Sequence, residues 1–214
     1  MANFKVKNGL QAGRYLLSGG TETAESVVYN LAGGSYDGVS LNVSSQDGAP
    51  RNILFNADGT KMYVLGSNND SAYQYTLTTA YDLSTASYDN VSFSFVDDIP
   101  SGFSFSGDGT KLYVAGGFTD TVYQYSLSTA YDLSTTSYDG VSLDVSSLTS
   151  SLEDVAFNSD GTKMFLVVSN LDNVYQYSLS TAFDLSTASY DSVSFYVGAQ
   201  EANPRCLVFS GYGT

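Results

Sequence analysis

The 214-residue chain carries 22 acidic against 8 basic side chains, a net charge of -14, and has no histidine. Such a field repels phosphate backbones and anionic headgroups, which argues against nucleic-acid binding and membrane-surface docking. The missing imidazole removes the commonest general base and metal ligand, excluding zinc sites and Ser-His-Asp chemistry.

With 18 Tyr, 12 Phe and no Trp beside many Ser, Thr and Val, the composition favours strands over helices. The single Cys206 cannot make an intrachain disulfide, and its apolar run Cys206-Leu207-Val208-Phe209 predicts a buried, inert thiol. No run approaches the ~18 apolar residues of a membrane span, and Met1 to Leu10 has no apolar signal-peptide core. The expectation is a chain made in the cytoplasm without a signal peptide and without membrane insertion.

Taken in order, residues 1–12 match nothing else in the chain and carry Lys5 and Lys7, which sets them apart as an N-terminal arm. A first unit follows with three strand-like segments, Arg14 to Gly20, Ser26 to Leu31 and Tyr36 to Val43. The second unit has four: Asn52 to Phe55, Lys61 to Leu65, Ala72 to Leu77 and Val91 to Phe95, with Asp58-Gly59 as a hairpin turn between the first two. The stretch Asp58-Gly59-Thr60-Lys61-Met62-Tyr63-Val64 returns as Asp108 to Val114 and Asp160 to Leu166. Tyr75, Tyr125 and Tyr177 lie 50 and 52 residues apart, as do Gly59, Gly109 and Gly161.

Four antiparallel strands at a period near 50 predict an all-β chain, a β-propeller. Units two to four insert a loop between their third and fourth strands, Thr79 to Thr85, Thr129 to Thr135 and Thr181 to Thr187. The first unit lacks it, since Tyr29 to Tyr36 spans 7 residues where Tyr75 to Tyr88 spans 13. The first unit also lacks an inner strand, and Pro204 to Phe209 repeats Pro50 to Phe55 with the same step from Pro to Phe. The expected architecture is therefore four blades of four antiparallel strands, closed by a C-terminal inner strand that completes the N-terminal blade. The boundaries are 1–12 for the arm and 13–214 for the propeller: blade one 13–45 plus 203–210, blade two 50–97, blade three 100–147, blade four 152–199. A half-ring that pairs into eight blades is the alternative.

Inner strands that line an axis would bring Arg51, Ser101, Glu153 and Arg205 to one mouth, beside Asp154. Two readings follow: charges that neutralise one another in a narrow tunnel, or a site for a small anion or carboxylate. Repeated acids at Asp70, Asp120 and Asp172, and at the turns Asp58, Asp108 and Asp160, suggest calcium by residue type, but one or two oxygens per loop favour turn hydrogen bonding, and no metal or cofactor is expected. The Tyr-Gln-Tyr strands (Tyr73 to Tyr75, Tyr123 to Tyr125, Tyr175 to Tyr177) suit inter-blade packing. The loop aromatics Tyr81, Tyr131 and Phe183 are candidates for stacking on sugars. No nucleophile and base pair and no carboxylate dyad stands out, so no catalytic residue is named.

The units beginning FNADGTKMYVLGSNNDSAYQYTLTTAYDLSTASYDNVSFSF resemble propeller repeats, distantly like YVTN and WD-repeat blades, of virion and tail-associated proteins of marine tailed bacteriophages. The opening MANFKVKNGLQAGRYL is similar to the segment that starts many phage fibre proteins. The resemblance implies a non-enzymatic virion structural protein. Phe4, Lys5, Lys7 and Leu10 would mount it on the particle, and its partners would be a neighbouring virion protein or a host-surface glycan. Trimers are implied by the same likeness. The alternatives are a bacterial or environmental carbohydrate-binding propeller module and a lactonase-like propeller enzyme.

Overall fold

The computed structural model describes residues 35–209, and these hold twelve strands in three antiparallel sheets of four. The first sheet is β1 (Pro50–Phe55), β2 (Lys61–Gly66), β3 (Ser71–Leu77) and β4 (Ala86–Ser94). The second is β5 (Pro100–Phe105), β6 (Lys111–Gly116), β7 (Thr121–Leu127) and β8 (Thr136–Asp144). The third is β9 (Leu152–Phe157), β10 (Lys163–Val168), β11 (Asn173–Leu179) and β12 (Ala188–Tyr196). In every sheet the spatial order follows the chain order.

The hairpin turns form for local reasons. Asp58 Oδ1 accepts from the Thr60 N–H at 2.9 Å and from its hydroxyl at 2.5 Å, and Gly59 takes φ +72°, a conformation that favours glycine. Glycine is required there a second time, because a Cβ would strike the ring of Tyr81. Asp108 and Asp160 repeat the turn. After each third strand, Asp82, Asp132 and Asp184 cap a 3-10 turn (Leu83–Thr85, Leu133–Thr135, Leu185–Thr187) by accepting from the Ser N–H two residues on.

Between the sheets the contacts are apolar and sequential. Tyr63, Leu65 and Ala72 on one face of the first sheet pack against Phe103, Leu112, Val114, Tyr125, Leu127 and Leu133 of the second. Tyr113, Ala115 and Val122 then pack against Leu152, Val155, Met164, Leu166 and Tyr177 of the third. Polar clips cross the same seams. Gln74 Oε1 accepts from the Leu133 N–H and Gln124 Oε1 from the Leu185 N–H, both at 2.8 Å, while the hydroxyls of Tyr63 and Tyr113 donate to the carbonyls of Tyr131 and Phe183. The Tyr-Gln-Tyr strands therefore serve packing between sheets.

Three sheets, and not a closed ring of four blades, are what the described residues contain. Tyr36 to Val43, expected as a strand, forms none, although Leu41 and Val43 pack on the first sheet beside Met62 and Val64. Pro204 to Phe209 is also not a strand. Neither segment has a hydrogen-bonded strand partner among the described residues, and the segments that would supply one, 14–20 and 26–31, lie outside them. Cys206, expected to be buried, is exposed: no sheet among the described residues covers its segment. The arm with Phe4, Lys5, Lys7 and Leu10 lies outside the described residues too.

Candidate functional site

The first strand of each sheet carries one residue too many for its partner. Pro50 opposes Gly66 and Asn52 opposes Leu65, which leaves Arg51 unpaired. Pro100 opposes Gly116 and Gly102 opposes Ala115, leaving Ser101; Leu152 opposes Val168 and Asp154 opposes Val167, leaving Glu153. These are β-bulges, which re-aim a side chain out of the regular alternation. Arg51, Ser101 and Glu153 are thereby turned towards one cavity of about 700 Å³, and Arg205 and Cys206 line it as well. The structure brings together the four residues that repeat counting had placed at one mouth. Ile53, Met62 and Val64 form an apolar wall.

The charges are not equivalent. Glu153 is nearly buried; it accepts from the Ser169 hydroxyl at 2.6 Å and pairs with Arg205. That carboxylate holds the Arg205 guanidinium firmly in its charged form. Arg51 Nε donates to the Ser67 hydroxyl at 3.0 Å, and no carboxylate among the described residues pairs with it. The Ser101 hydroxyl faces the carbonyls of Leu152 at 2.8 Å and Ala115 at 3.0 Å. With its proton so used and no base against it, Ser101 is a structural hydroxyl. Asp154, next to Glu153, is buried by the close approach of Gly102, and burial pushes its carboxyl up to about 7 although it accepts N–H bonds from Leu207 and Val155.

The remaining sequence candidates lie elsewhere. Tyr81, Tyr131 and Phe183 sit one per sheet at positive φ, with rings covering Gly59, Gly109 and Gly161 and packed on Phe55, Phe105 and Phe157. The hydroxyls of Tyr81 and Tyr131 donate to the carbonyls of Ala57 and Gly107. Each ring thus buttresses its own hairpin, away from the cavity. Among the described residues no group of three or more His, Cys, Asp or Glu is placed to hold a metal ion.

Sequence reasoning missed a repeated polar triad. Lys61, Lys111 and Lys163 pair with Asp89, Asp139 and Asp191, and each Asp also accepts from Gln74, Gln124 or Gln176. The signal was present as a recurring step of 28 residues from Lys to Asp.

No family model matches the chain, and neither does any curated protein. Solved structures do. A protein of Bacteroides fragilis provisionally assigned as a 6-phosphogluconolactonase aligns with a TM-score of 0.52 at 14% identity, over 69% of this chain and 39% of its own. A protein of unknown function from Desulfotomaculum acetoxidans gives 0.52 at 12%, over 71% and 43%. A second protein provisionally assigned as a 6-phosphogluconolactonase, from Bacteroides uniformis, gives 0.52 at 12%, over 66% and 39%. The fold is propeller-like. The chain spans about two fifths of the length of these neighbours, and at such identities the likeness is one of fold.

The comparisons correct the functional expectation. Proteins sharing this fold carry enzyme assignments, as lactonases, which overturns both the reading of the chain as a non-enzymatic virion structural protein and the expectation that it is no enzyme. The virion, tail-fibre and host-attachment role rested on the likeness of the repeats and of the opening segment, and the solved structures that match do not support it.

Proposed function

We propose that the chain is a lactonase-like propeller that binds an anionic sugar lactone in the cavity of Arg51, Glu153 and Arg205 and opens it with water. The observation that carries this reading is the convergence of two of only 8 basic residues, with one carboxylate, on a single cavity of an otherwise acidic protein. Arg51, lacking a carboxylate partner among the described residues, holds the carboxylate or phosphate of the ligand. Glu153 takes a proton from water, the oxygen bonds to the acyl carbon, and the charge that develops on the carbonyl oxygen is met by Arg205. The ring C–O bond then breaks and the leaving alkoxide receives the proton from Glu153, giving the open hydroxy acid.

Lactone opening releases acid, so titration at constant pH measures turnover directly. A panel of neutral, carboxylated and phosphorylated sugar lactones should show hydrolysis above the spontaneous rate for the anionic members. Glu153→Gln should lower the rate about 10² to 10⁴-fold, and Arg51→Ala should raise KM for the anionic members alone. Absence of turnover across the panel would remove the reading.

One observation favours a second reading, a sugar-acid-binding module without turnover: Glu153 is already engaged by Ser169 and Arg205. Calorimetry that finds the open acid bound at the Arg51 cavity, with no hydrolysis of any lactone, would decide for it.

The ring count belongs with this proposal. It stands at four blades in one ring, blade one being built from 13–45 plus 203–210.

A further inference from the structure

A second cavity, of about 330 Å³, lies on the seam between the second and third sheets, among Ser106, Asp108, Lys111, Gln124, Phe183 and Asp184. That is the small end of the range for ligand pockets, about 300 to 1,000 Å³, and gives room for a single sugar ring. It shares no lining residue with the Arg51 cavity.

Its two carboxylates come from different sheets, and each is spent on one oxygen only. Asp108 Oδ1 accepts from the Ser106 hydroxyl at 2.7 Å, the Thr110 N–H at 3.0 Å and the Thr110 hydroxyl at 2.8 Å. Asp184 Oδ1 accepts from the Ser186 N–H at 3.0 Å and the Ser186 hydroxyl at 2.6 Å. No donor among the described residues reaches either Oδ2. The bonds from Ser106 and Thr110 hold the Asp108 carboxyl below the usual carboxylate range, so it is ionised at neutral pH. Lys111 Nζ donates to Ser126 and to Asp139, both at 2.8 Å, which leaves the third of its N–H groups without a described acceptor.

This seam differs from the preceding one at two positions. Asn56, the counterpart of Ser106, fills its turn with an amide whose Oδ1 accepts from the Lys61 N–H at 2.9 Å and whose Nδ2 donates to the Thr60 hydroxyl at 3.4 Å; Asn158 does the same with Lys163 and Thr162. The buried Ser106 accepts from the Lys111 N–H at 2.9 Å with its hydroxyl, and being shorter it leaves the place of the amide nitrogen to the cavity. Phe183 stands where the first seam has Tyr131, so the apolar part of the lining carries no hydroxyl.

These groups select a class of ligand. An anion would meet two carboxylates, and a cation would meet the Lys111 ammonium. A hydroxyl both donates and accepts, so a polyol satisfies the two Oδ2 atoms and the lysine together, and the C–H face of a sugar ring suits Phe183. We propose that this cavity binds a neutral sugar, whose hydroxyls donate to Asp108 and Asp184 and accept from Lys111. The site is separate from the Arg51 cavity and independent of the lactone chemistry.

Glucose, galactose, mannose and N-acetylglucosamine, each titrated into isotope-labelled protein and followed by amide NMR, test it. At least one should shift the signals of Thr110, Lys111 and Leu185 with a Kd of about 1 to 10 mM, while those of Arg51, Ser101 and Glu153 stay in place. Ser106→Asn installs the side chain that the other two units carry, so the turn keeps its hydrogen bonds while the cavity is filled. It should weaken the binding about tenfold or more, with far-UV circular dichroism unchanged. The proposal is overturned if none of the four sugars moves the Thr110, Lys111 and Leu185 signals, if the shifts fall on Arg51, Ser101 and Glu153 instead, or if folded Ser106→Asn protein binds as tightly as the wild type. None of these sugars holds a lactone bond, so failure of the lactonase reading leaves each outcome interpretable.

Discussion

Asp154 links burial to pH within the range where most carboxylates have already ionised. Gly102 comes so close that a Cβ there would meet the Asp154 carboxylate, and the resulting burial pushes its pKa from 3.8 to about 7. A carboxyl raised in the folded state contributes stability that is fully present below 3.8 and is lost as pH rises to about 7. Over that window the loss is at most about 1.4 kcal/mol per pH unit. Asp89, Asp139 and Asp191 act oppositely: hydrogen bonds from lysine and glutamine hold them low, so their contribution is present above 3.8 and disappears as pH falls, for Asp191 towards about 2. Urea unfolding of the wild type between pH 4.5 and 7 should show a decline that Asp154→Asn removes. Equal slopes for the two proteins would mean that Asp154 does not titrate there. Repeat counting placed Asp154 near Arg51 and Glu153, but its burial depends on Gly102 from a neighbouring sheet, which no local pattern displays.

Among the strands, the bulges and the glutamine clips are the devices that make a repeat into a stack. Arg51, Ser101 and Glu153 were found by counting back from Phe55, Phe105 and Phe157, whereas the bulges themselves depend on cross-strand partners such as Gly66 and Gly116. The four strands per unit, the Asp-Gly turns and the inserted loops were legible because their causes lie within a few residues. Cys206 was misjudged because an apolar run predicts burial only where another sheet covers it. The clips can be weighed against one another. Gln124→Ala leaves the buried Leu185 N–H without an acceptor, which costs about 1 to 3 kcal/mol. Gln176→Ala abandons no described N–H and loses only the bond to Asp191, part of a solvent-accessible triad, so it should cost about 1 kcal/mol or less. Urea midpoints would rank the two variants; a larger loss for Gln176→Ala would show that its Oε1 serves a segment outside residues 35–209.

For the molecule as a whole, the strand period carried the fold class, while the function inferred from repeat likeness did not survive, because a repeat reports how sheets stack and not what its bulges hold. Net charge acts at this scale. At -14 the compact state repels itself, and that repulsion extends over a screening length of about 20 Å at 20 mM salt and about 4 Å at 0.5 M. Salt also weakens the ion pairs Lys61–Asp89, Lys111–Asp139 and Lys163–Asp191, but pairs with a third of the lysine exposed are worth roughly 0 to 1 kcal/mol each before screening. Their hydrogen bonds to Thr76, Ser126 and Ser178 persist in salt. At pH 7 the relief of repulsion therefore wins, and sodium chloride raised from 20 mM to 0.5 M should increase Tm, by about 2 to 4 °C for each kcal/mol gained. Near the isoelectric point of about 4.1 the repulsion vanishes, the weakening of the pairs is all that remains, and the shift should disappear or change sign. Calorimetric scans at the two pH values distinguish this from general salting-out, which would raise Tm equally at both.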